Sequence, residues 1–244
     1  MEVEQPGRIV IPYGVEHCSM DRIERSVDPG GSVRFAAPFP CVVLVEATPL
    51  RLNNSDYDPA PPPAVGNEEP DLVSVLRDHV KLGCASWNRK AFDFVDGYFE
   101  AVEQALIRNQ SDIASQAVGF GQLYHLRDWI YSALRPLPRA HVPARGHDGD
   151  GAGRLLVDFA FWTGRHFAVL DLGKGDLLPK QATERRQRLD RAGIAVFEHA
   201  PGSEEAWQSF LARLMPDGFW RGEVLPMGPF RSGALEMLDG RVAA

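Results

Sequence analysis

Two apolar segments that each contain an aspartate constrain this chain more than any other feature. Residues 155–162 read Leu-Leu-Val-Asp-Phe-Ala-Phe-Trp, and residues 166–172 read His-Phe-Ala-Val-Leu-Asp-Leu. Both segments are typical of largely buried strands, although aspartate is a poor strand former. An unpaired buried carboxylate is costly. Asp158 and Asp171 must therefore be compensated by a cation, by a hydrogen-bond network or by a metal ion.

The short stretch between these segments predicts how the two aspartates meet. Its sequence, Thr-Gly-Arg, is typical of a tight turn, so the two strands are expected to pair antiparallel. A turn centred near residue 164 places Asp158 roughly opposite residue 170, and a small register shift brings it beside Asp171. Two neighbouring carboxylates form a hard oxygen site suited to Mg²⁺ or Mn²⁺. The alternative is a structural pair satisfied by arginines or by strand-end amides.

The remaining hydrophobic pattern predicts an α/β (α+β) protein without internal repeats. Further strands are predicted at residues 8–12, 32–36, 41–46, 137–142 and 194–198. Helices are predicted at residues 71–82, 89–108, 111–134, 181–192 and 204–214. Prolines at positions 136, 138 and 143 restrict the strand at 137–142 to the edge of a sheet.

A proline-rich segment divides the chain into three predicted regions. Residues 53–63 are turn-rich and then polyproline-like, which is typical of a linker. We therefore predict a β-rich region at 1–60, a linker with helices at 61–110, and an α/β domain with a C-terminal tail at 111–244. The aromatic residues of the middle region are expected to pack in a helical core rather than to form a base-stacking platform; they are Trp87, Phe92, Phe94, Tyr98 and Phe99.

Composition argues against several classes of protein. The longest apolar runs, such as residues 41–45, are far shorter than the roughly 20 residues of a membrane span, so no membrane association is expected. The acidic N-terminus lacks the apolar core of a secretory signal. The three cysteines show no CxxC spacing, which argues against a structural zinc site and for a reducing compartment. These features predict a soluble cytoplasmic protein.

The charge is distributed unevenly along the chain. The net charge of −7 argues against a protein that coats nucleic acid non-specifically. Residues 1–120 hold 10 basic and 18 acidic residues, whereas residues 121–195 hold 12 basic and 8 acidic ones. We expect the acidic N-terminal half to dock a partner protein or a second copy of the chain. The basic segment is either a solvated face or a surface that follows phosphates.

The order of elements over residues 111–215 resembles the PD-(D/E)xK nuclease superfamily, which has the restriction-endonuclease-like fold. The predicted order is helix, three strands, helix, strand, helix, with an aspartate in the second strand and an acid near the end of the third. Within the superfamily, the chain is similar to the very-short-patch-repair type of small bacterial nuclease. The matching pieces are Val-Asp-Phe at 157–159, Val-Leu-Asp-Leu-Gly-Lys at 169–174, Glu-Arg-Arg-Gln-Arg-Leu at 184–189 and Ala-Gly-Ile-Ala-Val at 192–196. The resemblance implies a mixed sheet flanked by helices.

The resemblance also implies a role for each matching residue. Asp158 and Asp171 would hold Mg²⁺ or Mn²⁺, and Lys174 would be the catalytic lysine. The basic helix that follows would approach the substrate phosphate with its first residues and the nucleic-acid backbone with its basic face. The residues implied in substrate binding are Lys180, Gln181, Arg185 and Arg188.

Two departures from the family pattern leave the activity open. Two residues separate Asp171 from Lys174 where the usual motif has one, so Lys174 points to the opposite face unless Gly173 forms a bulge. The first helix offers only Asp112 and Asp128 as acids, where the family often has a glutamate.

The sequence therefore predicts a metal-dependent nuclease that hydrolyses phosphodiester bonds, with DNA favoured over RNA as substrate. It is expected to act as a subunit of a larger nucleic-acid-processing or defence assembly. The alternative is a catalytically degenerate subunit that keeps the nuclease fold as an interaction scaffold. Carboxylates within shared reach of a metal favour the nuclease, whereas carboxylates consumed by arginine pairs favour the scaffold.

Overall fold

The structure is a computed structural model that describes residues 8–14, 25–27, 33–35, 41–52, 72–116, 126–144, 154–172 and 179–220. The chain forms two compact units, each assembled from three separate stretches of sequence. The first unit comprises Met1–Pro49, Val80–Phe92 and Pro136–Ala200. The second comprises Leu50–His79, Asp93–Arg135 and Pro201–Ala244. The division into regions 1–60, 61–110 and 111–244 stays a prediction, and the linker at 53–63 lies outside the described residues.

The protein has the α/β (α+β) class that the sequence predicts. The helices are α1 (Leu72–Leu82), α2 (Arg89–Arg108), α3 (Gln110–Gln116), α4 (Pro179–Arg191) and α5 (Glu204–Leu214). The strands are β1 (Arg8–Pro12), β2 (Arg25–Val27), β3 (Val33–Phe35), β4 (Cys41–Val45), β5 (Leu137–Pro143), β6 (Arg154–Trp162), β7 (Phe167–Leu170) and β8 (Ala195–Phe197).

A four-stranded mixed sheet in the order β5-β6-β7-β8 dominates the first unit. Strands β5, β6 and β7 pair antiparallel, whereas β8 runs parallel to β7. A parallel pair needs a crossover connection, and α4 lies within that connection. The proline-flanked β5 lies at the edge of this sheet, as predicted. The first unit also contains two antiparallel pairs, β1 with β4 and β2 with β3.

The central strands of the mixed sheet are covered on both faces. Phe159, Ala160, Phe161 and Trp162 are consecutive residues of β6, and all four are buried. Every residue of β7 is buried as well. Because successive residues of a strand point to opposite faces, apolar groups must pack on both sides of the sheet. A carboxylate placed in these strands is therefore surrounded by apolar neighbours.

The second unit has an aromatic core between helices. Phe94 stacks against Trp207 with ring centroids 5.5 Å apart, and the buried Tyr98 donates a hydrogen bond to the Leu134 carbonyl at 2.6 Å. Gly97 permits this packing, since a Cβ atom there would lie 2.5 Å from the Trp207 ring. Among the described residues, no helix combines the length and apolarity needed to cross a membrane.

Two sequence predictions about the helices are wrong. The α-helix predicted at 111–134 is wrong over Leu126–Ser132, which form a 3-10 helix, whereas α3 covers the start of that range. Residues 117–125 lie outside the described part of the chain. The sequence predicts that Phe94 and Trp87 both pack in a helical core. Phe94 is buried, but Trp87 is 77% exposed because it lies between α1 and α2.

The turn between β6 and β7 requires a glycine. Gly164 has a φ of 90°, and a Cβ atom there would lie 3.0 Å from the Pro49 nitrogen. We expect Gly164→Ala to lower the free energy of unfolding by roughly 1–3 kcal/mol, measured by urea denaturation. Gly202→Ala is the matched control, because a Cβ atom there meets nothing within 4 Å. Equal effects of the two substitutions would contradict the assignment.

Candidate functional site

The turn determines which residues of β6 and β7 face each other. Its four residues, Thr163 to His166, are closed by a hydrogen bond from the Thr163 amide to the His166 carbonyl at 3.2 Å. Phe159 pairs with Leu170, and the same register continued by one residue places Asp158 opposite Asp171. The expected pairing of Asp158 with residue 170 is therefore wrong by one step, because the turn is centred after residue 164 rather than on it. Residues directly opposite each other share a face in an antiparallel pair, so the aspartates do too.

Asp158 holds the end of the neighbouring strand. Its side chain is half-buried, and its Oδ2 atom accepts a hydrogen bond from the Leu172 amide at 2.8 Å. Leu172 lies just beyond β7, where the backbone ladder with β6 stops. The carboxylate therefore accepts a hydrogen bond from an amide that would otherwise have no partner in the strand ladder.

Asp171 is held by α4. Its Oδ2 atom accepts a hydrogen bond from Arg185 Nε at 2.6 Å, and the two side chains are only 17% and 13% exposed. Arg185 Nη2 also donates to the Leu156 carbonyl of β6 at 2.6 Å. The guanidinium therefore fixes both the carboxylate and the strand beside it.

One oxygen of this cluster has no partner among the described residues. Asp171 Oδ1 is buried and accepts no hydrogen bond there. A buried, unsatisfied carboxylate oxygen is costly, and in proteins it is met by a hydrogen-bond donor, an ordered water or a cation. Among the described residues, Arg185 satisfies only the Oδ2 atom of Asp171.

Strand β5 contributes a strained arginine to the same place. The β5–β6 register pairs Pro138 with Phe159 and Ala140 with Val157, so Arg139 stands at the position opposite Asp158. Arg139 has a φ of 48°, a left-handed conformation that is uncommon for a residue with a side chain. Such outliers persist where the surroundings impose them, and they cluster at functional sites. Hydrophobic periodicity gives no signal for this conformation.

The buried Cys84 reports on the electrostatics beside Asp158. The pKa of the Cys84 thiol is raised to about 12, mainly by burial; Arg139 lowers this pKa, Asp158 raises it and Lys81 lowers it. Cys84 lies between α1 and α2, so this segment is within electrostatic range of the carboxylate. The sequence pattern does not predict that proximity.

The other predicted site residues lie in different surroundings. Lys180 and Gln181 are exposed in the first turn of α4, and Lys180 is 3.9 Å from Glu184. Arg188 is half-buried and donates to the Ala144 carbonyl at 3.3 Å. Lys174 lies outside the described residues. Arg185 and Arg188 thus bind the protein's own backbone, and their contact with nucleic acid stays a prediction.

The donors that could hold a cation at this place are two carboxylates. Among the described residues, no group of three or more His, Cys, Asp or Glu side chains is arranged to hold a metal. Mg²⁺ is commonly held by one or two carboxylates, with waters and substrate phosphates as its remaining ligands. Metal binding by Asp158 and Asp171 stays a prediction.

Comparisons with protein-family models, curated proteins and solved structures found no match. The function is therefore inferred from the chemistry of the site.

The Arg185 pair should be a major contributor to stability. We expect Arg185→Ala to lower the free energy of unfolding by about 2–4 kcal/mol, because it leaves the Asp171 charge unpaired and half-buried. The double variant Arg185→Ala/Asp171→Asn should be more stable than Arg185→Ala alone, since no unpaired charge remains. Urea denaturation measures both quantities.

Arg186→Ala is the matched control on the same helix. Arg186 pairs with Asp190 at 3.1 Å and with Glu198, and these side chains are far more exposed. Its loss should cost less than about 1 kcal/mol. If Arg185→Ala cost no more than Arg186→Ala, the Asp171–Arg185 pair would not have the assigned role.

Proposed function

We propose that this protein is a metal-dependent nuclease that hydrolyses phosphodiester bonds of DNA. One observation carries the proposal: the β6–β7 register, continued by one residue, places Asp158 opposite Asp171, whose Oδ1 atom is buried and accepts no hydrogen bond from the described residues. Neighbouring carboxylates repel each other unless cations lie beside them. Arg185 pairs with Asp171 and Arg139 stands at the position opposite Asp158, so a metal cation would complement the Oδ1 atom of Asp171.

Membership of the PD-(D/E)xK nuclease superfamily is part of this proposal. The order β5, β6, β7, α4, β8, α5 supports it, because it matches the sequence resemblance after the first helix, whereas the single helix predicted at 111–134 is not found among the described residues. The positions of the acids support it as well. Asp158 lies within β6, and Asp171 follows the last residue of β7 directly.

Asp158 and Asp171 would hold Mg²⁺ or Mn²⁺, which would supply an activated water and stabilise charge on the phosphate. The chain's own residues prepare this site. Arg185 Nε holds Asp171 Oδ2, which leaves Oδ1 for the ligand, and the Leu172 amide fixes Asp158. Because both supports are hydrogen bonds from rigid elements, the carboxylates need little reorganisation before they act.

Substrate binding is assigned to the exposed start of α4. The first turn of a helix favours anions, because its amides and its dipole point outward with positive character. Lys180 and Gln181 lie in that turn and are exposed, so they can contact a phosphate. Lys174 is assigned to assist the reaction, and Arg188 to a place along the nucleic-acid backbone.

The setting of the enzyme is also proposed. Its acidic N-terminal half favours a protein partner or a second copy of the chain, within a larger nucleic-acid-processing or defence assembly. The sparse, unpaired cysteines favour a cytoplasmic location.

A second candidate function is an interaction scaffold that keeps the nuclease fold without its chemistry. The Asp171–Arg185 pair favours it, because a guanidinium 2.6 Å from the carboxylate weakens attraction for a cation. In this scaffold, Asp158 and Asp171 serve only to join β6, β7 and α4. The two candidates differ in whether metal-dependent cleavage exists at all.

Cleavage of labelled single- and double-stranded DNA and RNA, with Mg²⁺, Mn²⁺ or EDTA, tests the nuclease. We expect wild-type protein to cut DNA only with a metal present, and Asp158→Asn and Asp171→Asn to slow cutting by roughly 100-fold or more. Asp190→Asn is the control, because Asp190 is exposed on α4 and pairs only with Arg186 among the contacts described.

The outcomes separate the two candidates. No metal-dependent cutting by folded wild-type protein, with or without a native partner, contradicts the nuclease and favours the scaffold. Cutting that survives both substitutions contradicts the assignment of the site. Circular dichroism of each variant first establishes that it is folded.

A further inference from the structure

The segment between α1 and α2 exposes two large apolar side chains. Trp87 is 77% exposed and Leu82 is 80% exposed. An indole is costly to leave in water, and exposed tryptophans concentrate at binding surfaces. Trp87 is therefore a candidate contact residue of a binding surface.

The backbone beneath Trp87 is well anchored. Gly83 lies against β5, since a Cβ atom there would be 2.4 Å from Pro138 Cγ. Cys84 and Ala85 are each only 7% exposed, and the Asn88 amide donates to the Ala85 carbonyl at 2.9 Å. The Ala91 amide in turn donates to Asn88 Oδ1 at 3.2 Å. The backbone that carries the indole is therefore fixed by packing and hydrogen bonds.

The charge next to Trp87 favours an anion as its occupant. Residues 79–92 contain three Lys or Arg residues and no Asp or Glu, and Asp78 and Asp93 border this stretch on either side. Arg89 and Lys90 are exposed in the first turn of α2, and that turn has no acidic residue. Cations are disfavoured at a helix start, and a bound phosphate would reverse that penalty.

This segment also lies beside the proposed nuclease site. Pro138, on which Gly83 rests, is adjacent to the strained Arg139 opposite Asp158. The Cys84 thiol lies within electrostatic range of Asp158 itself. All these residues belong to the first compact unit.

We propose that Trp87 is a stacking platform for an unpaired base of single-stranded nucleic acid, with Arg89 and Lys90 contacting the adjacent phosphates. Aromatic side chains bind bases this way without sequence preference, because every base has a π-face. The inference rests on the proposed nuclease function and names its substrate class: a nucleic acid with a single-stranded segment next to the scissile phosphate.

Binding measured without cleavage tests this assignment. Fluorescence anisotropy in EDTA, with a labelled 20-nucleotide oligo-dT and a duplex of equal length, gives the dissociation constants of the full chain. We expect Trp87→Ala to raise the constant for oligo-dT roughly tenfold and Trp87→Phe to restore most of the affinity. Lys90→Gln should lower the slope of log affinity against log salt concentration by about 0.7.

Ile107→Ala is the matched control, because Ile107 is also an exposed apolar residue, 56% accessible, but lies in the second unit. Unchanged oligo-dT binding by Trp87→Ala overturns the proposal, as does an equal loss in Ile107→Ala. Sedimentation measures the oligomeric state of the same variant. If Trp87→Ala converts an oligomer to monomers while oligo-dT binding stays intact, Trp87 belongs to a protein interface instead.

The two proposals fail separately. If the protein binds oligo-dT through Trp87 but never cleaves DNA, the stacking platform stands and the nuclease is contradicted. If the protein cleaves DNA while Trp87→Ala binds oligo-dT normally, the nuclease stands and the platform is contradicted.

Discussion

The antiparallel pairing of β6 with β7 positions the two aspartates of the candidate site. The four-residue turn at Thr163 to His166 sets a register in which Asp158 faces Asp171. One residue more or less in the turn would turn one carboxylate to the other face of the sheet, because side chains alternate along a strand. The parallel strand β8 then fixes the end of β7, since the Asp171 amide donates to the Phe197 carbonyl at 2.9 Å.

Charge balance explains why polar groups persist between apolar strands. On neighbouring strands, Arg139 of β5, Asp158 of β6 and Asp171 after β7 occupy successive opposite positions. Arg185 of α4 pairs with Asp171 at the end of this row. Each acid thus has a basic residue on its outer side. The balance is incomplete, because Asp171 Oδ1 accepts no hydrogen bond from the described residues.

Much of the fold can be predicted from the local hydrophobic pattern of the sequence. The site depends on turn length, backbone conformation and side-chain exposure, which that pattern does not contain. Helix α2 has the predicted bounds because its apolar stripe is long and uninterrupted. The aspartates were recognisable because acids in apolar strands are unusual, but their register depended on the length of the turn. The sequence pattern predicts neither the left-handed conformation of Arg139 nor the exposure of Trp87, because backbone strain and loop exposure depend on tertiary packing.

Binding of Mn²⁺ followed by electron paramagnetic resonance tests most directly whether the two aspartates form one cation site. The spectrum distinguishes free from bound Mn²⁺ without any need for catalysis. We expect wild-type protein to bind one Mn²⁺ per chain, Asp158→Asn and Asp171→Asn to lose that binding, and Asp190→Asn to retain it. Folded wild-type protein that binds no Mn²⁺ up to roughly 1 mM, a weak limit for a protein cation site, would contradict the cation site, as would equal binding by all four proteins.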